Sequence, residues 1–123
     1  MSQLTGNRIT KEAAGDYVQL VAGATIYAGA IVAVDGSGTA VPAANSSGYT
    51  VVGIAQQQVT SGGTMLVKRG KFVFDNTTSM GKGDIGKTAY ASDDQTITLT
   101  SSSGITLGKV LDVIPEGVVI SVG

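Results

Sequence analysis

Ala30-Ile-Val-Ala-Val-Asp35-Gly36-Ser-Gly38-Thr39-Ala-Val41-Pro42 decides the class of fold. The apolar run up to Asp35 reads as a strand, and Gly36-Ser-Gly38 closes it as a tight turn. Thr39-Ala-Val41 restarts a strand, which Pro42 confines to an edge or an end because proline lacks a backbone N–H. Outward from this hairpin the same grammar repeats. Residues 17–21, 49–55, 64–69, 71–75, 87–91, 96–100, 105–114 and 118–122 read as strands, separated by polar stretches rich in Gly, Ser, Asn and Asp. Gly53, inside the strand 49–55, marks a bulge or a close backbone approach. Turns recur about every 8–12 residues, as in small sandwiches and barrels. No segment carries a long 3.6-residue period. The expected fold is all-β: a compact small β-barrel or sandwich of short antiparallel strands.

The chain has 123 residues, enough for one domain with its own core. It contains no His, Cys or Trp. A disulfide framework, a Cys/His zinc site and a histidine-dependent nucleophile are therefore excluded. Only 14% of residues are charged and the net charge is −1, so there is no basic footprint for nucleic acid. A surface with so few charges avoids self-association by other means, which points to a protein whose surface is largely covered in an assembly. Residues 1–15, MSQLTGNRITKEAAG, are polar and lack strand alternation. They are expected to form a flexible N-terminal arm, with 16–123 as the single β domain. They contain no apolar core of a secretion leader, and the longest apolar stretch of the chain is too short to span a bilayer.

The chain also echoes itself, about residues 28–70 against 85–123. Gly29-Ala-Ile-Val-Ala-Val-Asp35, a turn and Thr39 align with Gly86-Lys-Thr-Ala-Tyr-Ala-Ser92, a turn and Thr96. Val52-Gly53-Ile54 aligns with Leu107-Gly108-Lys109, and Gly63 to Val67 aligns more loosely with Glu116 to Ile120. Two diverged repeats within one domain would explain this.

Three motifs carry possible chemistry. Gly81-Lys-Gly-Asp-Ile-Gly86-Lys87-Thr88 spells G-x-x-x-x-G-K-T, the phosphate-binding loop. That loop works by opening a helix whose N-terminal N–H groups surround the phosphates. Here β-forming residues and a turn follow Thr88, and the echo makes Gly86 a strand-opening glycine like Gly29. A chance match is expected, with no nucleotide bound. Asp93-Asp94 sits at a predicted turn and reads as a solvated turn pair, not an acid/base dyad. Lys68-Arg69-Gly70-Lys71 is the only basic cluster. It reads either as edge-strand charges that discourage aggregation or as a lateral contact for an acidic partner. Met65-Leu-Val-Lys68 has a distant look of a swinging-arm lysine, but Arg69 stands where such carriers have methionine. The aromatics are dispersed, and Phe72 and Phe74 are expected in the core.

The run 29–42, the Val-Gly-Ile-Ala55 strand, the Gly62-Gly63 turn, Val67-Lys-Arg-Gly70 with Phe72, Gly83-Asp-Ile-Gly86-Lys-Thr-Ala-Tyr-Ala91, Ile97-Thr98 and Leu107-Gly-Lys-Val110 together resemble the small capsid-decoration, or head-cement, proteins of tailed phages and prophages. The resemblance spans about residues 28–122. It departs at Gly86-Lys-Thr, where the family more often has an aliphatic residue. It implies a structural subunit that sits on the outer surface of an assembled shell, often as a homotrimer, and clamps neighbouring copies of the major capsid protein. In role it is similar to phage lambda-type head decoration proteins, whose N-terminal arm engages the shell. On that basis Leu4, Arg8, Ile9 and Lys11 are the expected capsid contacts, with Lys68, Arg69 and Lys71 as lateral contacts. The implied location is the virion surface after synthesis in the host cytoplasm. No catalytic residue, cofactor, metal, small-molecule substrate, nucleic acid or membrane is expected. The alternative reading is a tail or baseplate accessory or a receptor-binding β module. An enzyme built on the 81–88 loop and a secreted adhesion or carbohydrate-binding module are weaker rivals.

Overall fold

In the computed structural model, which describes residues 17–122, ten strands follow one another: β1 (Tyr17–Val21), β2 (Ile31–Val34), β3 (Ala40–Pro42), β4 (Thr50–Ala55), β5 (Thr64–Lys68), β6 (Gly70–Phe74), β7 (Thr88–Ala91), β8 (Ile97–Thr98), β9 (Ile105–Ile114) and β10 (Gly117–Val122). Among the described residues, the only helical segments are two three-residue 3₁₀ turns, Lys82–Asp84 and Ser101–Ser103. The all-β expectation is therefore met, with every predicted strand present to within two residues at each end.

The strands form two antiparallel five-stranded sheets, in the orders β1-β5-β4-β2-β3 and β6-β10-β9-β7-β8. Adding five to each number in the first order yields the second. The match reaches individual residues. In the first sheet Ile31 lies opposite Ile54 and Val32 opposite Gly53, and then the register slips so that Ala33 faces Val51. In the second, Thr88 lies opposite Lys109 and Ala89 opposite Gly108, and the register slips at the same place so that Tyr90 faces Thr106. Gly29 and Gly86 both donate to a strand carbonyl, Ala55 O at the end of β4 at 2.9 Å and Val110 O within β9 at 2.8 Å. The correspondence begins at β1 and β6, so it is wider than the echo read from 28–70 and 85–123. Gly70 opens the second sheet instead of ending the first.

Gly53 and Gly108 occupy matching positions for one physical reason. A Cβ on Gly53 would collide with Lys68 O, and one on Gly108 with Ser121 O. In each sheet the backbone of the paired neighbouring strand occupies the place a Cβ would take, and only a residue without a side chain permits it.

Two clusters make the core. One lies on a single side of the first sheet and gathers Ile26, Val32, Ala40, Ala55, Val59, Met65 and Val67. Strands from both ends of that sheet contribute, and a parallel bridge joins Ala22, just after β1, to Ala40 of β3. The other cluster joins the sheets. Ile31, Ala33 and Ile54, from the opposite side of the first sheet, pack with Phe74, Met80, Ala89, Ala91, Ile97, Leu107, Val110, Val118 and Ile120. β2 is thus covered on both sides, which accounts for its uninterrupted Ile-Val-Ala-Val composition. Polar links add to this packing: Ile31 N–H donates to Asp94 O (2.8 Å), and Asn45 Nδ2 donates to Ser102 O (3.2 Å).

Candidate functional site

The Gly81–Thr88 loop is a turn that starts a strand. Ile85 (φ −58°, ψ 130°) and Gly86 (φ 92°) are the central residues of a type II turn, closed by Lys87 N–H donating to Asp84 O at 3.1 Å. Tyr27-Ala-Gly29-Ala30 makes the matching turn, with Gly29 at φ 86° and Ala30 N–H on Tyr27 O at 3.1 Å. Several donors that a phosphate cradle would use are already engaged. Gly81 N–H donates to Asp84 Oδ2 (2.9 Å), Asp84 N–H to Gly81 O (2.9 Å), Ile85 N–H to Lys82 O (3.3 Å) and Gly86 N–H to Val110 O. Lys87 Nζ is held by Asp84 Oδ1 at 2.9 Å. Thr88 begins β7 and no helix follows. With these N–H groups engaged and a strand following, the loop does not present the helix-opening cradle that the motif describes.

The aspartates serve turns and ion pairs. Asp35 Oδ1 accepts from Ser37 and Thr39 N–H, and Asp93 Oδ1 accepts from Gln95 and Thr96 N–H. Partial burial works to raise the Asp93 carboxyl, but those backbone donors outweigh it and hold it below its ordinary value. The backbone donor of Gly81, and then Lys87, lower Asp84. Lys82, at 2.6 Å, lowers Asp112, helped by Val113 N–H. Among the described residues no three His, Cys, Asp or Glu side chains converge as metal ligands, and no helix is long and apolar enough to cross a membrane.

The predicted contact residues fall in different places. Leu4, Arg8, Ile9 and Lys11 lie outside the described residues. Lys68 ends β5, an interior strand, so it is not the edge-strand charge the sequence implied; its Nζ sits 5.8 Å from the centre of the Tyr17 ring. Arg69 is exposed in the link between the sheets, and Lys71 is exposed on the edge strand β6. Lys71 does have a neighbour the sequence reading missed. Ser121 lies opposite Lys71 on one flank and Lys109 on the other, so the two lysines share a side of the second sheet. Only the pairing register brings together cations that are far apart in the chain.

The corresponding sides of the two sheets differ in chemistry. Across the first sheet runs the row Tyr17, Lys68, Ile54, Ile31; across the second, the matching row is Lys71, Ser121, Lys109, Thr88. Beside it, Val41, Ala33, Val51 in the first sheet match Thr98, Tyr90, Thr106 in the second. The aliphatic members pack between the sheets. Their polar counterparts form an accessible face. Tyr17, Val21 and Leu66 also lie on one side of β1–β5 and are 48%, 52% and 49% exposed, far more than core residues allow. No family model matches the chain, and no match was found among curated proteins or solved structures.

Proposed function

We propose that the chain is a capsid-decoration protein: a structural virion subunit that binds the outer surface of an assembled phage capsid and clamps neighbouring capsid subunits. The observation that carries this reading is the set of half-exposed Tyr17, Val21 and Leu66 on the β1–β5 face of a chain with so few charges. On that face Tyr17, Leu66 and Val21 lie diagonally to one another, each opposite a polar residue (Lys68, Gln19 and Thr64), and together they offer a neighbour a mixed apolar and polar contact surface. Many copies around a shell turn modest contacts into strong collective binding, because each is made at high effective concentration. A subunit that binds the assembled shell and not its alternatives stabilises that shell by mass action.

In this proposal the molecule is a homotrimer built from two diverged copies of one five-stranded unit. Residues 1–15 act as a flexible arm, and Leu4, Arg8, Ile9 and Lys11 meet the major capsid protein. Lys68, Arg69 and Lys71 face acidic groups on a lateral neighbour. Quantifying the protein against the major capsid protein in purified particles tests the role. A ratio near one supports cement; a handful of copies favours the tail, baseplate or receptor-binding reading; absence from particles overturns both. Deleting residues 1–15 should abolish shell binding and leave the β domain folded. Unchanged shell affinity would remove the arm from the mechanism.

A further inference from the structure

We infer that the groove lined by Tyr49 and Tyr90 binds a neutral saccharide. The groove has a volume of about 390 Å³ and lies where the β3–β4 loop of the first sheet meets the second sheet. That volume is within the usual range for a small-ligand site. Tyr49, which also packs against the core, and Tyr90 both line it, with Ser46, Ser47, Ser101 and Thr106 among the remaining lining. No charged side chain lines it. A phosphate, a nucleotide or a carboxylate ligand would want a cation there, and a metal would want carboxylates. Hydroxyl groups both donate and accept, which suits a ligand made of hydroxyls. Tyrosine offers an apolar ring with a polar tip, which suits the C–H face and hydroxyl rim of a sugar ring.

A second observation makes this more than a chance depression. Tyr90 lies between Thr98 and Thr106 as direct cross-strand neighbours on three strands. The matching residues of the first sheet are Ala33, Val41 and Val51, which pack between the sheets. At the positions where one sheet buries aliphatic groups, the other displays an aromatic ring flanked by two hydroxyls. Core formation does not require that set. The 45–49 segment is also held in place: Asn45 Nδ2 reaches across to Ser102 O at 3.2 Å, and Tyr49 N–H donates to Ser46 O at 3.3 Å. A site restrained before binding loses less freedom when it closes on a ligand.

The inference goes beyond the shell reading and does not depend on it. It is tested on the full chain, free of particles, with maltotriose, cellotriose and tri-N-acetylchitotriose as probes. The measurements are ligand-observed saturation-transfer NMR and calorimetric titration. At least one probe should bind, with an affinity that does not fall as salt is raised. Tyr49→Ala and Tyr90→Ala should each weaken it about tenfold, whereas Tyr27→Ala, at an exposed ring outside the groove, should not. Thr106→Arg, at an exposed position, should also abolish binding by filling the groove with a charge, and it keeps the test decisive if a tyrosine variant fails to fold. Absence of binding by all three probes at about 10 mM would overturn the inference. So would binding that survives Thr106→Arg, or that Tyr27→Ala weakens equally.

Discussion

At the scale of single residues, the glycines pressed against the backbone of a paired strand carry the sharpest stability prediction. Gly108 and Gly53 each pass beneath a backbone carbonyl that cannot rotate away as a side-chain tip could. Gly108→Ala and Gly53→Ala should each destabilise the fold by about 1–3 kcal/mol or more, because the strand above must shift. Gly36→Ala, where a Cβ meets nothing within 4 Å, should stay within about 0.5 kcal/mol. Urea unfolding of the three variants measures this, and equal effects would contradict the close-approach account. The aspartates predict the response to acid. Asp84, Asp93 and Asp112 all have carboxyls lowered from 3.8 in the folded chain. A lowered folded value means the ionised form binds the fold better. That contribution is complete above the unfolded value and is lost as pH falls through the folded one. Melting temperature should hold steady from neutrality down to about pH 5 and then decline below about pH 4. Asp112→Asn, which removes the partner of Lys82, should flatten part of that decline.

At the scale of elements, the turns explain why some of the sequence could be read and some misled. Asp35-Gly-Ser-Gly38 and Asp93-Asp-Gln-Thr96 were legible because short polar side chains that satisfy nearby N–H groups have few other uses between two strands. Both do so here. The Gly81–Thr88 run matched a nucleotide motif because a pattern of residue letters does not encode whether the final glycine opens a helix or a strand. Gly29, in the same turn without the lysine, was the clue that it opens a strand. Lys87→Ala should therefore leave the protein folded with a melting temperature close to that of the parent, since its ion pair with Asp84 is at the surface. Gly86→Ala, which forces an L residue to φ 92°, should cost about 1–2 kcal/mol. If ATP with Mg²⁺ raises the melting temperature of the parent and not of Lys87→Ala, the turn account of this loop is wrong.

At the scale of the whole molecule, the strands and glycine correspondences were legible, but not how the sheets pack. Ile31-Val-Ala-Val34 announces burial without saying what covers each side, since an apolar run looks the same against a loop or a second sheet. Thr88-Ala-Tyr-Ala91, in the matching place, alternates and so shows one buried side. Comparing the two indicates what keeps the packing finite. One side of the first sheet carries Ile31, Ala33, Val41, Val51 and Ile54 and is covered by the second sheet. The same side of the second sheet carries Thr88, Tyr90, Thr98, Thr106 and Lys109. Were it aliphatic, it would offer the next molecule the kind of surface the first sheet offers the second. Such a head-to-tail contact does not close on itself and so runs on into fibres or aggregates. The polar row then acts as a stop, and that can be tested by removing it. Thr88→Ile with Lys109→Ile restores two positions of the first sheet's row, one half-buried and one exposed, so the chain should still fold with an unchanged urea midpoint. Exposing two added aliphatic side chains should nonetheless drive concentration-dependent association, visible by sedimentation velocity, because burying each is worth about 1.5–3 kcal/mol. The reverse exchange, Ile54→Lys, puts an unpaired charge between the sheets and should unfold the protein or cost several kcal/mol, of order 3–5. A double variant that associates no more than the parent, or a stable Ile54→Lys, would show that the difference between the two faces does not govern how the sheets pack.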